Sequence, residues 1–432
     1  MPSPSESLLQ TGARLMPALD GAPSAAPLPA SSAAPSGATC SLPERVDVAV
    51  IGAGVIGLSI AWRLAARGLG VAVFDRAAAG SGTSGAATGM LAAAAEHEPG
   101  NPDFLALALE SQRLWPGFAR ALEAESGLSV DYRDEGTLLV ALGREEVLRL
   151  RARHEYQRRH GLDTCWLGGP EVRALEPLLR PGIAAGLFAA GDHQVDPRRV
   201  VAALARAFAA AGGRLVEGCA VEAIETEGGR VAGVRTTAGV CRAGTVVVAS
   251  GPWAVEAGLL PSDLALPLRP LKGQALALRS TPRAPLPRHV VWTEQVHLAP
   301  KGDGRLIVGA TMEEAGFDAS ITAGGVYALL EGVRRALPSA EEMEVEAIWS
   351  GFRPTSDDDA PILGAVGPDG LVLAVGHHRN GILLAPVTAE AVADQVTAGQ
   401  IAGAAARFGL DRFGPPPATE ETGETRRQRT GT

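Results

Sequence analysis

Tyrosine and lysine are nearly absent from this 432-residue chain. The 39 basic residues include only Lys272 and Lys301, and the three tyrosines are Tyr132, Tyr156 and Tyr327. The lysine shortage leaves few candidates for Schiff-base chemistry, and the tyrosine shortage restricts phenol-based binding. The four cysteines (Cys40, Cys165, Cys219 and Cys241) form no C-x-x-C pair and no Cys/His cluster. A disulfide framework and a structural zinc site are therefore not expected, no metal is expected, and a reducing cytoplasm fits. No apolar run approaches the ~20 residues of a membrane span. The net charge is −9, with the arginines scattered rather than forming a basic stripe, so nucleic acid is not an expected partner.

What is present is ordinary globular material, 46% hydrophobic and 20% charged, with 53 glycines. At roughly 150 residues per domain, the length suggests two or three domains. Residues 1–44 are rich in Pro, Ser and Ala, lack hydrophobic periodicity, and carry neither a secretory nor an Arg-rich targeting pattern. This stretch is expected to be a disordered extension, and residues 414–432 a disordered tail.

Folded sequence begins at Arg45. Asp47–Ile51 is a short apolar run of the buried-strand type, Val55–Arg67 has helical spacing ended by Gly68, and Val71–Asp75 is a second buried strand. Together they make a βαβ unit. Further along, Pro197–Ala211 reads as a helix stopped by Gly212 and Gly213, and Thr245–Ser250 as a buried strand. Gly136–Leu142, Leu268–Leu278, Arg305–Thr311 and Leu371–Val375 carry strand signals, while Thr388–Gly399 and the charged stretch Arg144–Arg159 carry helical ones. The expected fold is α/β, with a dinucleotide-type core interrupted by β-rich insertions.

Gly52-Ala-Gly54-Val-Ile-Gly57 sits between the first strand and the first helix. Such glycines supply a tight turn, close approach to a pyrophosphate, and close helix–strand packing, and the phosphates meet a helix N-terminus. Asp75 lies 18 residues after Gly57, at the end of the second strand, where a carboxylate can accept from ribose hydroxyls. Arg76 beside it leaves room for a 2′-phosphate. The loop alone does not separate FAD from NAD. Gly80–Leu91, a second run of small and hydroxyl residues after the second strand, suits a flavin, whose ring must pass close to backbone; a flexible loop is the plainer alternative.

Read together, GAGVIGLSIAWRLAARG, GTSGAATGML, VVVASGPW, RLIVGATMEEAGFD, GFRPTSDDDAPILG and GHHRNGILLAP resemble the D-amino-acid-oxidase-like FAD-dependent oxidoreductases, from about Arg45 to Phe413. The pairing of GATM with RNGILLAP resembles the glycine oxidases of thiamine biosynthesis within that family. The resemblance implies a Rossmann-like, glutathione-reductase-like FAD-binding domain (45–95, 196–262 and 350–413) interleaved with an antiparallel-sheet α+β substrate domain (96–195 and 263–349). It implies noncovalent FAD, because the covalent attachments of some sarcosine oxidases use a C-terminal cysteine and the last cysteine here is Cys241.

The resemblance also implies roles. Gly52, Gly54, Val55, Ile56 and Gly57 would hold the pyrophosphate, with Asp75 and Arg76 at the ribose. Thr83, Ser84, Thr88, Gly89 and Met90 match a second stretch of flavin contacts. Val221 matches a backbone contact near the adenine, and His377, His378, Arg379, Asn380, Gly381, Ile382 and Leu383 match a loop closing over the flavin ring. Arg353 would clamp a substrate carboxylate, with Arg379 nearby and Met312 lining the pocket. Where these glycine oxidases usually carry a tyrosine, this chain has His297, which can still donate a hydrogen bond to a carboxylate. A surface-strand histidine, and for Arg353 an ion pair with Asp357, Asp358 or Asp359, are the plainer alternatives. Glu96 and His97 are candidates for gating the pocket, and Trp253 is expected in the core.

The implied activity is oxidative deamination of glycine by O2, giving hydrogen peroxide and an imine that hydrolyses to glyoxylate or feeds thiazole formation. A guanidinium fork is the natural handle on a planar carboxylate, and with the amine neutral no strong base is needed. A D-amino-acid or sarcosine oxidase or dehydrogenase of the same fold, a non-enzymatic flavoprotein and an NAD-dependent dehydrogenase are the alternatives. A homo-oligomer, tetrameric in one version, is expected.

Overall fold

The computed structural model describes residues 42–97, 101–256, 259–261 and 264–414. The expected extension 1–44 and tail 414–432 fall almost wholly outside the described residues, as does Cys40. Among those described, two eight-stranded sheets and one two-stranded ribbon carry the chain. The first sheet has a parallel centre in the order Leu371–Val375, Gly239–Val248, Arg45–Ile51, Val71–Phe74, Arg214–Val216, with Ile362–Ala365 antiparallel at one edge. Val221–Glu227 and Arg230–Thr236 extend it as an antiparallel pair. Parallel strands are covered on both faces and so read as unbroken apolar runs, which is why Val71–Phe74 and Leu371–Val375 are visible in sequence. Val50, Val73, Val247 and Val372 pack in one cluster with the helices Val55–Ala66, Pro197–Ala210 and Ala385–Ala398. Their neighbours Ala49, Ile51, Phe74, Val246 and Val248 point the other way, into a cluster containing Val231 and Val234.

The helix ends follow local chemistry. Asp196 accepts hydrogen bonds from the backbone N–H groups of Arg198 and Arg199 ahead of Pro197, which opens the helix Pro197–Ala210. The helix Pro102–Ser126, not anticipated above, starts with the Asn101 side chain accepting from Phe104 N–H and stops at Gly127 in the left-handed region. A second unanticipated helix, Ala323–Ala336, is capped by Thr322.

The second sheet runs Glu344–Ser356, Leu268–Arg279, Arg305–Gly309, His297–Pro300, Val290–Trp292, Thr137–Ala141, Ala185–Ala189, Thr164–Gly168. All its pairings are antiparallel except Val290–Trp292 with Thr137–Ala141. Its core gathers Leu138, Leu276, Leu298 and Val308 with Leu329 and Val333 of the helix above. The division expected at residue 350 falls inside the strand Glu344–Ser356, which pairs with Leu268–Arg279 along nearly its whole length. No helix among the described residues is long and apolar enough to cross a membrane.

Candidate active site

The glycine loop forms where the strand Arg45–Ile51 meets the helix Val55–Ala66. Gly52 sits at φ +109°, and a Cβ there would lie 2.5 Å from the Ala249 carbonyl oxygen, so only glycine fits. A Cβ on Gly57 would lie 2.0 Å from the Gly52 carbonyl oxygen, so this glycine serves helix packing on the turn. Gly54 faces Ser84 instead, whose Oγ accepts from Val55 N–H at 2.9 Å and joins the helix N-terminus to the second small-residue stretch. Asp75 accepts from the backbone N–H of Ala53 (2.7 Å) and Ala77 (2.9 Å). Burial pushes its carboxyl above the ordinary carboxylate range, against the pull of those two bonds and of Arg76. Each carboxylate oxygen keeps a further lone pair for a ligand hydroxyl.

Within the second stretch, Thr83 donates to the Phe352 carbonyl (2.6 Å), and Thr88 Oγ1 lies 3.1 Å from His297 Nε2. Met90 and Leu91 pair with Gln194 and His193. Thr83 and Thr88 thus meet strands of the second sheet, while Met90 and Leu91 form the two-stranded ribbon with His193 and Gln194.

A single cavity of about 1360 Å³ runs through the junction. It is larger than the roughly 300–1,000 Å³ typical of a small-molecule site, as a dinucleotide with a substrate chamber requires. Gly52, Gly54, Asp75, Arg76 and Val221 line it, and so do Thr83, Thr88, Met90, His297, Arg353 and Arg379.

Arg353 lies on the strand Glu344–Ser356, with Leu271 as its register partner. Its Nη1 donates to the carbonyls of Thr311 (3.1 Å) and Lys272 (3.4 Å). Gly273 makes room for it: a Cβ there would lie 2.6 Å from Nη1. The alternative ion pair does not form. Asp357 is 3.8 Å from Arg269, Asp358 is 2.8 Å from Arg412, and Asp359 is 3.8 Å from His378. Burial lowers the Arg353 pKa, Glu96 opposes this and Arg379 adds to it; an arginine nonetheless stays charged. Arg379 pairs with Glu96 at 3.3 Å and also donates to the Glu96 backbone carbonyl at 3.1 Å. His297 is in the cavity wall rather than on the surface, its ring 5.4 Å from that of Trp292. Burial, then Arg353, Lys301 and Arg379, push its pKa down to about 3, so it is neutral. His377 and His378 are likewise pushed down to about 3, chiefly by burial. His378 Nδ1 meets Thr355 Oγ1 at 2.9 Å, and His377 Nε2 meets Thr388 Oγ1 at 3.1 Å.

Most of the expected residues come together in this cavity: Val55, Ile56, Ser84, Gly89, His377, His378, Gly381 and Ile382 also line it. Gly57, Asn380 and Leu383 stand behind the wall, where the Leu383 carbonyl accepts from Ser111 (2.6 Å) and Trp115 (2.8 Å). Met312 borders the cavity but is 65% exposed, at its rim. Glu96 lines the cavity, whereas His97 faces Tyr156. Trp253, expected in the core, is instead in the wall, stacked on Phe317 (ring centroids 5.8 Å apart) with the Arg76 guanidinium 4.8 Å over its ring. Gly273, Trp292 and Phe352 were not anticipated. Only the pairing of Leu268–Arg279 with Glu344–Ser356 puts Gly273 against Arg353, and no sequence spacing reveals that. None of Cys165, Cys219 and Cys241 touches the cavity.

A βαβ glycine loop opening onto a cavity shared with a second, mostly antiparallel sheet defines a dinucleotide-binding oxidoreductase. The chain belongs to the FAD dependent oxidoreductase family, whose model matches residues 47–395. It is 38% identical over 374 residues to a glycine oxidase of Geobacillus kaustophilus, covering 85% of this chain and 97% of that one. It is 36% identical over 375 residues to a bifunctional ThiO/ThiG protein of Synechocystis, covering 85% of this chain and about half (54%) of that protein. The crystal structure of the Geobacillus kaustophilus glycine oxidase superposes with a TM-score of 0.81 at 37% identity, covering 85% of this chain and 99% of that one. The residues present fit FAD: the turn at Gly52 keeps side chains out of the pyrophosphate path, and the cavity continues past Thr83–Met90 to Arg353.

Proposed function

We propose that this protein is an FAD-dependent glycine oxidase that converts glycine and O2 to the glycine imine and hydrogen peroxide, the imine hydrolysing to glyoxylate and ammonia or feeding thiamine thiazole synthesis. Bound FAD supplies the two-electron acceptor for the α-carbon hydride. The observation that carries this reading is Arg353, a cavity-wall guanidinium with no carboxylate in ion-pair contact among the described residues, held by two backbone carbonyls in the cavity that the glycine loop opens into.

In this reading Arg353 takes the substrate carboxylate bidentately, Nη2 and Nε remaining available beyond the two bonds of Nη1. Neutral His297 offers a ring N–H or lone pair beside it, while Thr88 fixes the ring. Arg379, tied to Glu96, adds positive potential that favours an anionic group at Arg353. Met312 borders the substrate end. Holding the carboxylate orients the α C–H, and positioning of this kind supplies much of the rate. FAD would be held noncovalently by Gly52, Gly54, Val55, Ile56, Asp75, Arg76, Val221, Thr83, Ser84, Thr88, Gly89, Met90, His377, His378, Arg379, Gly381 and Ile382, with Gly57, Asn380 and Leu383 supporting that wall from behind. The same reading makes the protein a homo-oligomer of the cytoplasm.

A panel of glycine, sarcosine and D-alanine tests it, with peroxide and oxo-acid measured for each. The expected result is peroxide and glyoxylate from glycine. Turnover confined to D-alanine would move the protein to the D-amino-acid oxidases.

A further inference from the structure

A polar cluster sits behind Arg353, with Lys272 and Gln274 buried and Glu313 partly exposed (29% of its side chain). Glu313 Oε1 accepts from Gln274 Nε2 (2.7 Å) and Thr311 Oγ1 (2.5 Å), and Glu313 Oε2 lies 3.4 Å from Lys272 Nζ. Lys272 is 1% exposed and Gln274 is fully buried. Backbone bonds of 3.0 Å run both ways between Lys272 and Glu313, and Thr311 Oγ1 also accepts from Gln274 N–H at 2.8 Å. The two carbonyls that hold the Arg353 fork thus belong to Lys272 and Thr311, and both residues bond Glu313 through their side chains. The same cluster pins the segment that follows. Gln274 bonds both the backbone N–H and the hydroxyl of Thr322 at 2.9 Å, and Lys272 Nζ reaches Ser320 Oγ at 3.5 Å. Met312 at the cavity rim lies between Thr311 and Glu313.

Burying a lysine is costly unless its charge is matched and its donors are satisfied. The nearer matching charge here is Glu313, with the exposed Asp318 carboxylate 3.9 Å from Lys272 Nζ as a second. Burial raises the Glu313 pKa, but Thr311, Gln274 and Lys272 together hold it below the ordinary range, so Glu313 is anionic. The Arg353 side chain bonds the Lys272 and Thr311 carbonyls and not Glu313, so any influence passes through the two carbonyls.

We propose that Glu313 is a positioning residue: by locking Lys272, Gln274 and Thr311 it fixes the two backbone carbonyls that aim the Arg353 fork at the substrate carboxylate. This rests on the reading of Arg353 as the carboxylate clamp. Glu313→Gln keeps the size and removes the charge, leaving Lys272 with only the exposed Asp318 at 3.9 Å and loosening the side-chain hold on the two carbonyls, although the backbone bonds between residues 272 and 313 remain. A displacement on the order of 1 Å is enough to cost catalysis up to about a hundredfold.

The test uses the flavin-loaded enzyme. Acetate, a carboxylate without an amine, is titrated by the flavin difference spectrum, and glycine kinetics are run beside it. For Glu313→Gln the expected result is an acetate Kd and a glycine KM raised about tenfold, with kcat within about twofold and flavin content unchanged. In an Arg353→Lys background, where the fork is gone, Glu313→Gln should add little, because coupled sites are not additive. An unchanged acetate Kd, or a full effect persisting in the Arg353→Lys background, overturns the proposal. If Glu313→Gln does not fold, Thr311→Val removes one bond of the cluster and is expected to raise the acetate Kd about threefold, and an unchanged value overturns it equally. Should Arg353→Lys alone leave acetate binding intact, the clamp reading itself fails; a weakened Arg353→Lys beside a normal Glu313→Gln strikes only the role of Glu313.

Discussion

Replacing Arg353 with methionine removes the charge and the fork while keeping an unbranched apolar stem. In the structure both hydrogen bonds of the guanidinium leave from Nη1, to Thr311 and Lys272, so a carboxylate arriving at the other donors gains two charge-assisted bonds. Such bonds contribute about 1.5–3 kcal/mol each. Losing one partner of a desolvated, hydrogen-bonded charge pair costs about 2–5 kcal/mol, or roughly 30- to 5,000-fold in affinity. Arg353 is half-buried, and the cavity it faces is partly open, which takes the top off that range. The expected loss for Arg353→Met is therefore about 100- to 1,000-fold in glycine kcat/KM, with the flavin still bound. Arg353→Lys should lose about tenfold less, since it keeps a point charge but no fork. The assay is initial-rate peroxide formation against glycine concentration, with flavin content measured on each preparation. A methionine variant with normal flavin and a kcat/KM within threefold of the parent would refute the clamp, and with it the account of how the substrate is oriented.

Other consequences follow from the same geometry. Gly273→Ala puts a Cβ within 2.6–2.9 Å of the Arg353 guanidinium and should raise the glycine KM about tenfold without loss of flavin, read by steady-state kinetics. His297 is already neutral, its pKa pushed down to about 3, so glycine kcat/KM should show no histidine titration from that residue between about pH 5 and 8. His297→Asn should leave the shape of that profile unchanged, and the loss of a titrating limb near pH 6.5 would contradict this. His297→Tyr puts a longer phenol in the cavity wall and should change the glycine KM; unchanged kinetics would place His297 outside the pocket. Lys301 donates to the Val195 carbonyl (2.7 Å) and to Gln194 (3.1 Å), and burial, partly offset by Asp196 and Asp131, brings its pKa down to about 7 from 10.5. Between those values the unfolded chain binds the proton and the folded chain does not, so this group makes stability rise with pH from about 7 to 10.5. Lys301→Met should flatten that rise in a series of denaturant unfolding curves.

Much of the fold is legible in the sequence for a definite reason. The strands Arg45–Ile51, Val71–Phe74 and Leu371–Val375 are covered on both faces and bounded by turn residues, so their apolar runs stand out. The helix Pro102–Ser126 escaped notice although Asn101, Pro102 and Gly127 mark its ends, because Pro116 inside it reads as a break. The flavin side of the site is local in sequence and was readable as motifs. The substrate side is not: Gly273 and Arg353 meet only across paired strands eighty residues apart, and the chain's scarce lysines gave no sign that both lie buried. Trp253 reads as core by composition, yet it lines the cavity, where it stacks on Phe317 and carries the Arg76 guanidinium over its ring.

Glycine held by its carboxylate at Arg353 would present its α-hydrogen to bound FAD, and this step can be watched directly. Its most direct measurement is the visible flavin spectrum of the purified protein, mixed with glycine in the absence of oxygen. Glycine should bleach the yellow protein, which recovers its colour and releases hydrogen peroxide when air is readmitted. A flavin that stays oxidised at saturating glycine, or a protein purified without flavin, would contradict it.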